Sequence, residues 1–311
     1  MNKCQLIVPS TGKDFIRNKA NYRKFFKLLP ITEIVFIGPA ELEAMVEELT
    51  STETDLAISY VNENDIIEFD KVKKAIVDRL AFDGYTASGD SRPGWYYQQF
   101  LKMAWSYKCE DEYYLIWDAD TLPLKPVEMW DKNGTPFFDV KVEYNPRYFR
   151  TIGHLFDGMT KVGDFSFISE HMVFKTSRMR EMIERIMSTD LRGETFYEKI
   201  FSAIEILDIT IGFSEFETFG TFITTLYPGE YSIRTWKSMR AAGYFFEPSE
   251  LNKDDIDWLA KDYDAITFES YNQVHPQLAP LFHNPQYRKT MRAAEIYQMI
   301  QDSGIMHGDV S

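Results

Sequence analysis

Short apolar runs and amphipathic stretches alternate along the first part of the chain. CQLIVPS is apolar up to Pro9, and RNKANYRKFFKLL after it has helical spacing. EIVFIGP ends at Gly38-Pro39, and AELEAMVEELT then sets Leu42, Met45, Val46 and Leu49 at i, i+3, i+4 and i+7, one face of a helix. A third run, DIIEF, reads as a strand with another helix behind it. Continuous apolar strands are what a sheet covered on both faces requires, and their alternation with helices predicts a mostly parallel α/β sheet. Ligands of such sheets sit beyond the carboxyl ends of the strands.

RPGWYYQQFLKMAWSYK predicts one long helix, with Pro93 and Gly94 just ahead of it. Tyr96, Phe100, Met103 and Tyr107 form a core stripe, and Trp95, Gln99 and Lys102 form a second stripe. YYLIWDADTLPLKP is then a central strand ending in Asp118 and Asp120. The second half is less regular. It holds aromatic loops in EYNPRYFRTIGHLFDG and a helix around SRMREMIERIM, with Met179, Met182, Ile183 and Ile186 on the core face. Further helices are expected around ETFYEKIFSAIEI and from Ser214 onward. No repeat or linker is visible, so the expectation is a single unit with a nucleotide-binding half over residues 1–126 and a second half over 127–311.

Composition narrows this picture. With 311 residues, 44% of them apolar and 15% aromatic, the chain can bury a sizeable core. A formal charge of −14 argues against nucleic acid as the main partner, since phosphate polymers reward basic surfaces. A small phosphorylated ligand stays compatible, because a metal ion or a few local cations neutralise it. The two cysteines, Cys4 and Cys109, cannot build a disulfide framework and read as reduced and structural. No apolar run reaches the length of a membrane span, and the start MNKCQLIVPST turns polar too quickly for a signal peptide. The expectation is a soluble cytoplasmic protein, with peripheral association at the inner membrane face left open.

The acidic pair carries the chemistry. Carboxylates projecting from the carboxyl end of a buried strand favour a hard cation, Mg²⁺ or Mn²⁺, with diphosphate oxygens filling other positions. An Asx turn that merely ends the strand is the plainer alternative. LIWDADTL also matches the hydrophobic-run D-x-D-x-T pattern of haloacid-dehalogenase-type phosphatases, which would make Asp118 a nucleophile. That motif normally ends the first strand of its fold, whereas two or three strand–helix units precede it here. The phosphatase also needs a late acidic pair on a strand, and Asp254 and Asp255 in NKDDIDW look like a helix start. A third reading is a non-catalytic carbohydrate-binding protein using aromatic loops around Tyr144, Tyr148 and Phe149.

IVPST, two further β/α units, GWYYQQFLKM and a strand ending in DAD followed by proline together resemble GT-A glycosyltransferases. More narrowly the chain is similar to a bacterial group of sugar transferases of surface polysaccharides, over residues 4 to about 126 and more thinly at SFISEHMVFK and FSEFETFG. The resemblance implies a Rossmann-like GT-A sheet whose second half, 127–311, binds the acceptor and completes catalysis. It implies transfer, of the hexosyltransferase type, from a nucleoside-diphosphate sugar, with UDP-sugar the first choice, to a saccharide or lipid-linked acceptor. Pro9, Ser10 and Thr11 would hold the base and ribose. Asp118 would lie near the ribose or metal waters and Asp120 would ligate Mn²⁺ or Mg²⁺ directly. Trp95, Gln98, Gln99 and Lys102 would face the donor, Lys102 neutralising a phosphate and the glutamines holding sugar hydroxyls.

Asp164, Glu170 and His171 would by the same resemblance wall the donor sugar or acceptor, although His171 also reads as a satisfied buried histidine. An inverting transferase needs a carboxylate to take the acceptor proton. Glu215, at the first position of a helix, is the first candidate, and Glu217 the second, since Ser214 and Glu217 fit an S-x-x-E capping box. A retaining enzyme would need no such base. The family often adds a late histidine as third metal ligand, for which His283 is preferred over His275.

Overall fold

A computed structural model describes residues 3–86, 91–269 and 271–304. In chain order the strands are β1 (Cys4–Pro9), β2 (Ile31–Gly38), β3 (Ile58–Asn62), β4 (Tyr113–Trp117) and β5 (Thr121–Pro123), followed by β6 (Phe137–Val140), β7 (His171–Lys175), β8 (Ser232–Thr235), β9 (Ser238–Met239) and β10 (Ala265–Thr267). The main sheet has the order β3-β2-β1-β4-β7. Its first four strands are parallel, and β7 adds an antiparallel edge against β4. The expected mixed, mostly parallel α/β sheet flanked by helices is therefore present.

The local reasons follow the sequence closely in the centre of the sheet. Leu6 to Val8, Ile34 to Ile37 and Tyr114 to Trp117 are all buried, as strands covered on both faces demand. At the edge the expectation fails. The third strand is ISYVN rather than DIIEF, and β3 is half-buried throughout, because an edge strand has only one neighbour and does not need a continuous apolar run. Within DIIEF, Asp65 closes a 3₁₀ turn and Phe69 opens the helix Phe69–Phe82, while Ile66 and Ile67 pack against the core.

The helix Pro93–Ala104 includes Pro93 and Gly94 in its first turn, where the missing proline N–H costs nothing. Tyr96, Phe100 and Met103 are buried as expected, but the chain tightens to 3₁₀ at Trp105–Tyr107 and Tyr107 turns outward. Phe100 sits among the rings of Tyr96, Phe196, Tyr197, Phe201 and Phe213. Helices Thr176–Met187, Phe196–Ala203 and Glu215–Leu226 lie where the sequence places them. The aromatic stretch read as loops instead contains a helix, Pro146–Leu155. Asn145 caps it by accepting the Arg147 N–H, and Pro146 occupies the first turn. That Asn-Pro start was the available signal for it.

The packing divides the chain otherwise than at residue 126. One unit comprises Met1–Gly12, Ile31–Asp118 and Met129–Thr235; the other comprises Lys13–Pro30, Ala119–Glu128 and Trp236–Ser311. The first holds the main sheet and the parallel β6–β8 pair. The second holds β5-β10-β9, with Phe245, Phe246, Trp258 and Phe282 in ring contact. Its N-terminal segment is two short helices, Gly12–Asn18 (starting at the last residue of the first unit) and Tyr22–Leu28, rather than one. Cys4 and Cys109 are buried and free, and burial pushes the Cys4 thiol up to about 12. No helix among the described residues is long and apolar enough to cross a membrane.

Gly38 closes β2 against the loop after β1. A Cβ there would stand 2.3 Å from the Ser10 carbonyl oxygen and 2.6 Å from Leu42 Cδ2. Gly38→Ala should therefore lower unfolding free energy by about 1–3 kcal/mol, read as a shift in urea midpoint. Gly94→Ala, with nothing within 4 Å of the new methyl, should be neutral or mildly stabilising in the same titration.

Candidate active site

The strand order of the main sheet reverses at β1: β2 and β3 lie to one side, β4 and β7 to the other. In open α/β sheets ligands bind beyond the carboxyl ends of the strands at such a switch point. Ile7 stands opposite Ile116, and two residues further along each strand come Pro9 and Asp118. Ser10 follows Pro9, its N–H donating to the Ile37 carbonyl at 2.8 Å and its hydroxyl to the Thr11 carbonyl at 3.0 Å. Pro9, Ser10 and Asp118 thus belong to one edge of the sheet.

Asp118 is fixed at both ends. Its N–H donates to the Glu170 carbonyl at 2.9 Å. Lys102 Nζ donates to Asp118 Oδ1 at 2.6 Å and to Glu215 Oε1 at 2.7 Å. The Lys102 side chain is 3% exposed and that of Asp118 29%. Lys102 also lies over the Phe216 ring, 4.6 Å from its centroid. Gln99 Oε1 accepts the Glu215 N–H at 3.1 Å, while its amide nitrogen donates to the Trp95 carbonyl at 3.2 Å. Burial works against the Lys102 charge, but Asp118 and Glu215 outweigh it and hold the ammonium above its ordinary value. For Glu215 burial dominates and raises the carboxyl despite Lys102, with Asp118 adding to the rise. The cation is the firmer charge of that pair.

Several expectations change here. Gln99 and Lys102 are buried among protein groups and do not form an open polar face; Trp95 and Gln98 are half-buried, with the Arg92 guanidinium 4.8 Å over Trp95. Glu215 is an ion-paired, buried carboxylate, not an open base. Ser214 accepts the Glu217 N–H at 3.3 Å, but the Glu217 carboxylate bonds Ser166 instead of completing the capping box. Its Oε2 is buried without a partner, and burial holds the carboxyl above its usual range against the Ser166 and Phe167 hydrogen bonds.

His171 is a satisfied buried histidine. Its Nδ1 meets the Ser169 carbonyl at 2.8 Å, its Nε2 meets Asp139 Oδ2 at 2.8 Å, and its ring stacks on Trp117 with centroids 4.7 Å apart. Arg234 grips Asp139 with two bonds of 2.6 and 2.7 Å from the facing position of β8. Glu170, with φ of 62°, is ion-paired to Lys141. Asp164 is exposed, so it does not join Glu170 and His171 in one buried wall. Sequence reasoning missed Asp139, Lys141 and Arg234. The lone aspartate in the apolar run FFDV was a signal, since a charge in a buried strand requires a partner.

In the second unit the Asp120 carbonyl accepts the Phe268 N–H at 2.8 Å, and the Ala119 carbonyl accepts the Asn18 amide at 2.8 Å. His283 closes the helix Ala279–His283 and donates from Nε2 to the Phe245 carbonyl at 2.9 Å, leaving only Nδ1 for a metal. His275 Nδ1 accepts the Gln277 and Leu278 N–H groups, a turn-capping role. Asp255 caps the helix Lys253–Leu259 and pairs with Arg288, so the late acidic pair of a phosphatase is absent from a strand end. Tyr148 and Phe149 are buried in a helix, leaving only Tyr144 of the aromatic trio exposed.

Among the described residues no group of three or more His, Cys, Asp and Glu side chains is gathered to hold a metal. Asp118 Oδ2 has no protein partner among the described residues, and a carboxylate offers a hard oxygen donor only. Such a donor set fits Mg²⁺ or Mn²⁺ bound through one or two carboxylates with phosphate and water completing the shell, and does not fit zinc.

Residues 1–225 match the model of a family described as a family of unknown function (DUF6492), and the chain belongs to that family. Among solved structures it is similar to mouse xyloside xylosyltransferase 1, at 11% identity and a TM-score of 0.44, covering 88% of this chain and 99% of that one. It is similar to the WbbM bifunctional glycosyltransferase at 11% identity and 0.41, covering 95% of this chain and 51% of that one. An active-site mutant of LgtC gives 12% identity and 0.40, with 91% and 99% covered. The chain thus spans about half the length of WbbM. No curated protein matches it. Identities and scores this low leave the chemistry to be argued from this chain's own residues.

The Asp139 site generates a pH prediction. Burial pushes this carboxyl up, but His171 and Arg234 together hold it below its ordinary value. Its stabilisation is therefore present above the unfolded carboxyl pKa of about 4 and is lost as pH falls through the lower folded value. Unfolding free energy measured between neutral pH and the acid limit should fall with acidification. In Asp139→Asn that acid-side slope should be shallower, with about 3–5 kcal/mol lost at neutral pH.

Proposed function

We propose that this protein is a metal-dependent glycosyltransferase that moves a sugar from a nucleoside-diphosphate donor, a UDP-sugar first, to a saccharide or lipid-linked acceptor in surface polysaccharide synthesis. The observation that carries the reading is the station of Asp118, at the carboxyl end of the strand beside the switch point, on the same edge as Pro9 and Ser10. The resemblance of IVPST, GWYYQQFLKM and DAD to GT-A enzymes supports it. Work at the cytoplasmic face of a membrane suits a lipid-linked acceptor.

In this reading Pro9, Ser10 and Thr11 receive the base and ribose, and Trp95 and Gln98 border the sugar. Asp118 and Asp120 are the proposed metal ligands, with His283 Nδ1 a weaker third. The bound ion would draw the charge of the departing nucleoside diphosphate. The acceptor oxygen forms its bond to the anomeric carbon as the carbon–phosphate-oxygen bond breaks, and the acceptor proton must leave. Both glutamates are buried with raised carboxyls, but Glu215 is ion-paired to Lys102 while Glu217 Oε2 has no partner among the described residues, so Glu217 is placed ahead of Glu215 as the proposed base. Its burial requires that acceptor binding open a path to it. Neither rival reading has an observation in its favour.

Calorimetry should show UDP binding that requires Mn²⁺ or Mg²⁺, and Asp120→Asn should abolish it and cut transfer by at least about a hundredfold. Metal-independent binding, or none with any nucleotide, overturns the reading. Glu217→Gln should remove transfer while sparing donor binding; retained turnover would exclude it as the base.

A further inference from the structure

Lys102 and Glu215 take no open position at the sheet edge, yet Lys102 bonds the partly exposed Asp118 carboxylate there and Glu215 in turn bonds Lys102. Their burial calls for an explanation. Removing an ammonium and a carboxylate from water costs several kcal/mol per ion, and a well-packed apolar pair of similar volume is often as stable. Stability alone is thus a poor reason for the arrangement. Direct contact with donor phosphate is a poor reason too, because the Lys102 side chain is 3% exposed and its ammonium already holds two carboxylates.

We propose that Lys102 is a positioning residue: anchored by Glu215, it fixes the Asp118 carboxylate through Oδ1 and leaves Oδ2 as the oxygen offered to a divalent cation. This rests on the donor site proposed above. Three features support it. The ammonium cannot follow a moving ligand, because Phe216 covers it at 4.6 Å and Glu215 holds it at 2.7 Å. Glu215 is itself pinned, its N–H bonded to Gln99 at 3.1 Å. Asp118 cannot swing as a unit either, since its own N–H is tied to the Glu170 carbonyl at 2.9 Å. Without the Lys102 ammonium between them, the Asp118 and Glu215 carboxylates would repel, and the Asp118 side chain would lose its fixed direction.

A charge-neutral double variant, Lys102→Met with Glu215→Leu, separates position from charge, because it removes one positive and one negative group together. Its urea midpoint should lie near that of the wild type, while Lys102→Met alone, which leaves the buried Glu215 carboxylate without its cation, falls well below. Mn²⁺ affinity in the presence of UDP, measured by calorimetry, should nevertheless drop about 10- to 100-fold in the double variant, as losses of supporting groups behind metal ligands do. Activity should recover as Mn²⁺ is raised. A double variant that folds and binds Mn²⁺ and UDP as the wild type does would show the pair to be structural only. Lys102→Arg keeps the charge but imposes a planar fork, so it should fold and still lose metal affinity several-fold; unchanged affinity overturns the proposal even if the double variant fails to fold. Wild type that binds no nucleotide with any metal would instead remove the donor site itself, and this role with it.

Discussion

A lysine ammonium buried between two carboxylates is tolerated only where its surroundings hold it still, and that constraint runs through everything around Asp118. In water the Lys102 contacts of 2.6 and 2.7 Å would be worth little, because solvent screens both charges and long side chains lose entropy to meet. Here the helix Pro93–Ala104 brings Lys102 up from one side, and the first turn of Glu215–Leu226 brings Glu215 from another. Both helices are in turn set by aromatic packing, through Phe100 and Phe216, so the apolar core fixes where the charges stand. The order of causation is core first, charges second, ligand last.

The same logic extends to the antiparallel edge. Two buried polar residues, Glu170 just before β7 and His171 at its start, are each answered by a charge from an adjoining segment: Lys141 just past β6, Asp139 on β6 itself, and Arg234 behind Asp139 on β8. Asp139 faces Arg234 directly in the parallel pairing of β6 with β8. These pairs keep the start of β7 in register with the end of β4, so that the Glu170 carbonyl meets the Asp118 amide. Glu170 holds a left-handed backbone conformation that non-glycine residues adopt at a cost, and the surrounding ion pair and strand pairing keep it there.

The parts of this legible in the sequence are those governed by local rules. β1, β2 and β4 announce themselves as continuous apolar runs because both faces are covered, and the acidic pair is readable because it interrupts such a run at a strand end. β3 escaped because a half-buried edge strand carries no such run. The helix Pro146–Leu155 escaped because its aromatic residues drew attention away from the Asn-Pro start. Side-chain partnership was the least legible. Lys102 and Glu215 lie 113 positions apart. Both were visible as candidates, yet nothing in either neighbourhood says that one ends on the other. Asp139, Arg234 and Asn18 matter through similarly remote contacts, with Asn18 reaching Ala119 across 101 positions.

Those remote contacts also bear on the Asp118 end of the acidic stretch. A turn that only ends a strand satisfies its aspartates locally, through neighbouring main-chain N–H groups. Asp118 has no such bond among the described residues: its carboxylate goes to a lysine 16 positions back and its amide to Glu170. Ala119 and Asp120 give their carbonyls to Asn18 and Phe268. A nucleophilic Asp118 fares no better, because Asp254 and Asp255, the late acidic pair weighed for that role, stand in the first turn of a helix and not at a strand end. A carboxylate held by one oxygen, with the other partnerless among the described residues, is instead suited to sharing a cation that a ligand's own oxygens complete. The paired charge behind Asp118 thus suits the binding role proposed above, in which one oxygen is held and the other is offered.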